Sequence, residues 1–390
     1  MLKHNPLDFA TALSAKLASR SRHVCAFLGA GCAQACGLPG VDQLQQEVVS
    51  ALEAGDQEAF QCQLKECNLE EALTRIRRIA ALVSDEEEFD GLTNEKATTL
   101  DAAVCKAIVK ALDIQNANLE PFYRFAAWAA RADYNLPIEL FTVNYDLLLE
   151  TTLDSLRVPY FDGFVGNVRA RFHTELVEGR AGSDREWMPA FFVRLWKLHG
   201  SVNWAWEKDR TITRLGQPIS KGDAAAIFPS DTKYEESRRV PFVVLQDRFR
   251  RALHEPETLI LISGYSFSDS HLNDMMFDAA SRCPRSEFQI FCYSDIPEVL
   301  AKRAMITPNL QVASGREAIL GSERGEWKSS EDPPPDLWVD DQFGLRDFTH
   351  LSAYLARSVP QEPESETLIR KYLEKVSTKN MVEGGTKNDA

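Results

Sequence analysis

Five short stretches of this chain combine residue types that bind anions, hold ribose hydroxyls or move protons. The first is Gly29-Ala30-Gly31, directly after the apolar run Val24 to Leu28. Glycines there let backbone N–H groups approach a pyrophosphate, and a following helix favours the anion. The same residues also suit an ordinary tight turn between a strand and a helix. The second is Thr142-Val143-Asn144-Tyr145-Asp146. The amide of Asn144 can hold a ribose hydroxyl or a water, and the carboxylate of Asp146 can accept from a carboxamide NH₂. Capping of the next helix by either residue is the competing reading. The third is Lys197-Leu198-His199-Gly200-Ser201, in which His199 titrates near neutrality and suits general-base work. The fourth is Gly264-Tyr265-Ser266-Phe267-Ser268-Asp269. It offers a glycine, hydroxyls and an acid for phosphate or ribose contacts, or an ordinary turn in which Ser268 or Asp269 caps a helix. The fifth is Tyr293-Ser294-Asp295, where Asp295 stands in the position of an acid that binds dinucleotide ribose.

All five follow segments that read as buried strands. Val24 to Leu28 is a short apolar run, and Ile138 to Val143, Phe192 to Leu198, Thr258 to Ser263 and Glu287 to Tyr293 are largely apolar segments of the same type, as expected of parallel strands covered on both faces. Helical periodicity separates them: 6–20, Val41 to Leu52 and a stretch around 271–282. Alternating strands and helices imply βαβ units. The expected fold is therefore α/β, a Rossmann-like parallel sheet with helices on both faces. Its ligand crevice lies at the carboxyl ends of the strands. Residues 53–132 read as helix throughout, including Leu69 to Val83, Leu100 to Leu112 and Phe122 to Ala132, and form a helical insertion. The acidic stretch from Ser84 to Gly91 reads as a solvated connection, and 151–190 as loop. The expected division is a catalytic domain over 1–320 and an appendage over 321–390 that serves assembly. The appendage contains the stiff linker Pro333-Pro334-Pro335, candidate helices at Phe348 to Arg357 and Ser365 to Val376, and a disordered end.

The order of the motifs, G-A-G, then N-x-D, then H-G-S, then G-Y-S-F-S-D, resembles the Sir2 family over about residues 20–315. It resembles in particular the Sir2-like NADase domains of bacterial anti-phage systems. The resemblance implies that Gly29, Ala30 and Gly31 bind the NAD diphosphate. Asn144 then positions the ribose or the attacking water, Asp146 lies near the nicotinamide amide, and His199 is catalytic. Gly264, Tyr265 and Ser266 match the second dinucleotide loop, and Asp295 its ribose-binding strand end. NAD is implied as substrate. Two departures stand out. Sir2 deacylases continue the first motif as G-I-P-D-F-R, where this chain has Gly37-Leu38-Pro39-Gly40-Val41-Asp42. They also carry a four-cysteine zinc ribbon after the histidine, where this chain has only Cys283 and Cys292, too few for a tetrahedral site. Hydrolysis of NAD is therefore favoured over the alternatives, which are protein deacylation or ADP-ribosylation on the same site, or a non-catalytic NAD- or ADP-ribose-binding scaffold. No metal is expected. Trp204 and Trp206 read as packing, Cys32 as structural and His271 as helix surface.

The net charge is −14, from 44 basic and 58 acidic side chains. A chain this acidic has no general attraction to nucleic-acid phosphates or anionic lipid. The eight cysteines show no C-x-x-C spacing; their scatter suits buried thiols in a reducing cytoplasm. Neither a signal peptide nor a membrane span is visible. The length leaves no room for a separate nuclease or helicase, so the resemblance implies a trigger on another chain. The implied partner is a HerA-type hexameric ATPase, with a short Argonaute as the alternative, and homo-oligomerisation is expected with it.

Overall fold

The computed structural model describes residues 2–65, 67–84, 86–131, 134–179, 193–207, 209, 211–219, 225–227, 240–328 and 337–357. Six parallel strands form its centre: β1 (Val24–Leu28), β2 (Glu139–Thr142), β3 (Val193–Lys197), β4 (Leu259–Ser263), β5 (Glu287–Phe291) and β6 (Leu310–Ala313). Their spatial order is β3-β2-β1-β4-β5-β6, the doubly wound order of Rossmann-like sheets. The strand order reverses between β1 and β4, which pair in parallel from Leu259↔Val24 to Ser263↔Leu28. Antiparallel strands Glu317–Leu320 and Glu323–Trp327 and the short Lys3–His4 extend the β6 edge, and Tyr160–Phe161 pairs with β3, giving ten strands.

Residues of one strand alternate between the two faces. In β1, Cys25 and Phe27 enter one apolar cluster, whereas Val24, Ala26 and Leu28 enter the other. The first face is covered by helices Phe242–His254, Ser270–Arg282 and Glu298–Ala304. The second is covered by Pro6–Leu17, Glu120–Arg131, Leu148–Ser155 and Phe348–Arg357. Because both faces are covered, every residue of β1 and β4 is buried, which accounts for their continuous apolar sequence.

The helical region between β1 and β2 has a separate core, in which Phe60, Leu73, Ile76, Leu100, Val104 and Ile108 meet Leu44 and Val48 of helix Val41–Ala51. Asn68 and Glu71 form a reciprocal capping box that starts helix Leu69–Leu82. Tyr145 and Val202 from the main domain also enter this core, so the insertion packs directly against segments that follow β2 and β3. Glu120–Arg131, at the end of the region, belongs instead to the main core through Phe122, Phe125 and Trp128.

Two regions depart from the sequence reading. The stretch read as loop over 151–190 contains the end of helix Leu148–Ser155, strands Tyr160–Phe161, Phe164–Val165 and Arg169–Phe172, and helix Thr174–Glu178; residues 180–190 lie outside the described part. Phe164–Val165 and Arg169–Phe172 join Gly200–Trp206, Ile212–Leu215 and Ala225–Ile227 in a second, five-stranded sheet. These strands are short and separated by Gly163 and Gly166, both at positive φ, so no apolar run announces them. The boundary expected near residue 320 falls between two paired strands of the main sheet. Beyond it, Phe343, Leu345, Phe348, Leu351 and Leu355 are buried in the main core. The Pro333-Pro334-Pro335 linker and residues 365–390 lie outside the described residues.

Candidate functional site

The crevice begins where the turns after β1 and β4 meet. Gly29 N donates to Ser263 O at 3.0 Å, and Gly31 N to Gly264 O at 2.9 Å. A Cβ on Gly29 would lie 2.4 Å from Gly264 O, and one on Gly264 would lie 2.4 Å from Cys32 N. Gly264 also has φ +66°, a left-handed conformation that costs other residues energy. The glycines are thus required by the contact of two backbones. Amides expected to face a pyrophosphate are, at Gly29 and Gly31, bonded to the neighbouring turn. Ala30 opens helix Ala30–Gln34 beside them. Cys32 is fully buried with its Sγ bonded to Ser263 O at 3.3 Å, and burial pushes its thiol up, as suits a structural cysteine.

Asn144 follows β2, next to β1. Its Nδ2 donates to Gly29 O at 3.1 Å and its backbone N to Thr142 Oγ1 at 3.0 Å. The amide plane is thereby fixed, with Oδ1 as its acceptor. Asp146 is 6% exposed. Its Oδ1 accepts from Leu148 N, the first amide of helix Leu148–Ser155, at 3.0 Å. Burial pushes the Asp146 carboxyl above its ordinary range, against the pull of Lys197. Tyr145, between them, turns the other way and donates its phenol to Glu70 of the insertion at 2.8 Å.

Lys197 holds this loop from below. It is 3% exposed. Its Nζ donates to Tyr145 O at 3.3 Å, Ser201 Oγ at 2.8 Å, Glu150 Oε1 at 3.0 Å and also Asp146 O. A buried ammonium satisfied in this way ties β3 to the Asn144–Asp146 turn. Removing its charge would strand Glu150, at a cost of roughly 3–5 kcal/mol by analogy with other buried pairs.

His199 lies two residues past β3, where the chain reverses into the second sheet. Gly200, at φ +94°, makes the reversal. His199 is 6% exposed, and its Nε2 lies 3.4 Å from Asp269 Oδ2. Asp269 Oδ1 accepts from His271 N at 2.9 Å and Leu272 N at 3.1 Å, so Asp269 also caps helix Ser270–Arg282. Burial opposes charge on Asp269, but the hydrogen bond from His199, its charge, and these two amides hold the carboxyl below its ordinary range. β3 and β4 are three strand spacings apart, about 14 Å, so this contact brings their loops together across the ends of β2 and β1. The sequence marks Asp269 as a ligand contact or a cap; its pairing with His199 joins residues far apart in the chain.

The remaining expected residues are spread along the same edge. Tyr265 is half-buried, and its OH donates to Asn273 Oδ1 at 3.0 Å. Ser266 is exposed and bonds Ser268 at 3.0 Å. Asp295 is exposed beyond β5. His271 is exposed, and Trp204 is 1% exposed, packed on Phe164. A cavity of about 300 Å³ lies among Gly31, Gly264, Tyr293 and the segment Arg346 to Phe348.

Together, fold and site define a Rossmann-like α/β protein whose crevice at the β1/β4 switch point is edged by Asn144, His199 and Asp269. Residues 138–306 match the family model described as the SIR2-like domain, and this similarity points to NAD-related chemistry. The matched stretch contains Asn144, Asp146, His199, Gly264 to Ser266, Asp269 and Asp295, and excludes Gly29 to Gly31. No curated protein matches the chain. No group of His, Cys, Asp and Glu that could hold a metal occurs among the described residues, and none of their helices is long and apolar enough to cross a membrane.

Proposed function

We propose that this protein hydrolyses NAD at the bond between nicotinamide and ribose. The observation that carries the proposal is the placement of an oriented amide, Asn144, and an imidazole paired with a carboxylate, His199, on the loops that follow the adjacent strands β2 and β3, beside the switch point of a Rossmann-like sheet. The similarity to the SIR2-like domain supports NAD as the substrate. Nicotinamide leaves as a neutral ring, and the ribose passes through an oxocarbenium-like state, as in glycoside cleavage. Water supplies the new C1′ oxygen and gives up one proton. The products are nicotinamide, ADP-ribose and H⁺.

Asn144 orients the water or the ribose hydroxyls through Oδ1. Asp269 holds Nε2 of His199, so Nδ1 is the nitrogen that accepts the proton, directly or through a ribose hydroxyl. Asp146 accepts from the nicotinamide amide, and Tyr265, Ser266 and Asp295 contact the rest of the dinucleotide. The resemblance to anti-phage Sir2-like NADases supports a role as a cytoplasmic NAD-depleting effector, held off until infection. A HerA-type ATPase is proposed as the partner that holds it, ahead of a short Argonaute, with the chain itself oligomeric.

The test is chromatography of NAD incubated with the purified chain, alone and with the co-expressed ATPase, with and without an acetyl-lysine peptide. Nicotinamide and ADP-ribose in equal amounts without peptide are expected. Nicotinamide release that depends on the peptide would make the protein a deacylase instead.

A further inference from the structure

Tyr145 stands between two expected site residues, Asn144 and Asp146, yet its side chain leaves the crevice. It is 9% exposed and enters the core of the helical insertion. Its phenol donates to Glu70 Oε1 at 2.8 Å, and Glu70 lies in the first turn of helix Leu69–Leu82. Burial and the Glu70 carboxylate push the phenol well above its ordinary value, so it stays a donor at neutral pH.

The carbonyl oxygen of the same residue meets the segment that carries His199. It accepts from Val202 N at 3.0 Å, and from Lys197 Nζ and Ser201 Oγ, each at 3.3 Å. Val202 is 1% exposed and belongs to the same insertion core. Its own carbonyl accepts from Ile219 N at 3.0 Å, and Ile219 packs against that core as well. Asn144 is thus adjacent to one side chain that the insertion holds, and His199 is close in the chain to another. Their strands, β2 and β3, are paired neighbours. A displacement of Tyr145 turns the peptide planes on either side of it and changes the spacing of the two loops. Misplacing a reacting group by about 1 Å can cost about a hundredfold in rate.

We propose that Tyr145 is a positioning residue that holds the Asn144 loop against the His199 loop, and that the helical insertion acts on turnover through it. This rests on the reading of Asn144 and His199 as the groups that act on NAD. The insertion fixes the side chain through Glu70, the Tyr145 carbonyl fixes the spacing of the loops, and Val202 leads back into the insertion core. A shift of helix Leu69–Leu82 therefore reaches both groups at once.

Tyr145→Phe, Glu70→Ala and the two combined, each in the full chain, test it. Phenylalanine keeps the ring in the insertion core and loses only the phenol oxygen. Each single variant should lower kcat for nicotinamide release about tenfold, the low end for loss of a hydrogen bond to a charged group, with KM within about twofold. The combined variant should be no slower than the slower single one, because both remove the same interaction. Glu70→Gln keeps an oxygen for the phenol and should lose less than Glu70→Ala. Hydrogen exchange supplies a readout that needs no turnover. In Tyr145→Phe and Glu70→Ala the Val202 amide should exchange at least about threefold faster, while Leu261, at the centre of β4, keeps its rate; general destabilisation would speed both. A kcat within about twofold of the unmodified chain in both single variants, losses that multiply in the combined variant, unchanged exchange at Val202, or equal acceleration at Leu261 overturns the inference. If the unmodified chain releases no nicotinamide, the hydrolase reading falls, and exchange at Val202 alone decides whether the insertion holds the two loops.

Discussion

Asp269→Asn separates the two tasks of one carboxylate. Asp269 Oδ1 caps helix Ser270–Arg282 through the amides of His271 and Leu272, and Oδ2 faces His199 Nε2 at 3.4 Å. Asparagine keeps an oxygen for the cap, since Asn and Asp are comparable N-caps. What it loses there is the favourable charge at the helix start, about 0.3–1 kcal/mol. On the other side it places an NH₂ where an acceptor stood, and the imidazole loses a hydrogen bond to a charged group worth about 1.5–3 kcal/mol. At about 1.4 kcal/mol per factor of ten, kcat for nicotinamide release should fall roughly 10- to 150-fold. That reaches only the lower end of the about 10²–10⁴ that a general base contributes, as expected of a residue that acts through the base. The melting temperature should fall by less than about 4 °C. The assay is steady-state NAD turnover, with KM and kcat separated, alongside calorimetric melting. If kcat stays within a factor of two while His199→Ala abolishes turnover, Asp269 does not position the imidazole, and the reasoning fails.

Two further outcomes follow from the geometry. Gly264→Ala places a methyl 2.4 Å from Cys32 N and 2.8 Å from Cys32 Sγ, at φ +66°. Left-handed strain and overpacking together should cost about 2–5 kcal/mol in urea denaturation, and a loss under about 1 kcal/mol would show that the turns can part. At the amino ends of the strands, Glu139 is 1% exposed. It bonds His23 at 3.0 Å, Trp196 at 2.7 Å and Arg248 Nε at 2.7 Å. Burial opposes charge on His23, but the Cys25 sulfur and the Glu139 carboxylate push it up to about 10 from an ordinary 6.5. Its raised value means that its contribution is complete below 6.5 and is lost as pH rises toward 10. Burial also opposes charge on Glu139, yet Arg248 and His23 hold it well below its ordinary 4.5, so its contribution is present above that value and lost as pH falls. Stability should peak between these two ordinary values and decline on the alkaline side by at most roughly 1.4 kcal/mol per pH unit. His23→Gln should flatten that alkaline slope; an equal slope in both proteins contradicts the assignment.

The strands on either side of the switch point were legible because both are buried on both faces and therefore almost wholly apolar: Val24 to Leu28 matches β1 residue for residue, and Thr258 to Ser263 exceeds β4 by one. The helical insertion was legible from its periodicity. Its attachment to the site was not, because Tyr145 and Glu70 meet only in three dimensions. The same holds for His199 and Asp269. Lys197 stood in a motif already singled out, yet its role depends on four partners drawn from residues 145–201. The second sheet is not legible because Phe164–Val165, at two residues, and Arg169–Phe172, at four, are too short for an alternation to stand out. The C-terminal segment reads as an appendage on account of the prolines before it. Its own Phe343, Leu345 and Phe348 carried the contrary signal, that of a segment which packs.

The most direct test of the central claim is nicotinamide release from NAD by the unmodified chain, Asn144→Ala and His199→Ala, with NAD binding measured on each. The account predicts release by the unmodified chain, loss of release in both variants, and retained binding in His199→Ala. Undiminished release in both variants, or NAD binding without release by the unmodified chain under every condition, would contradict it.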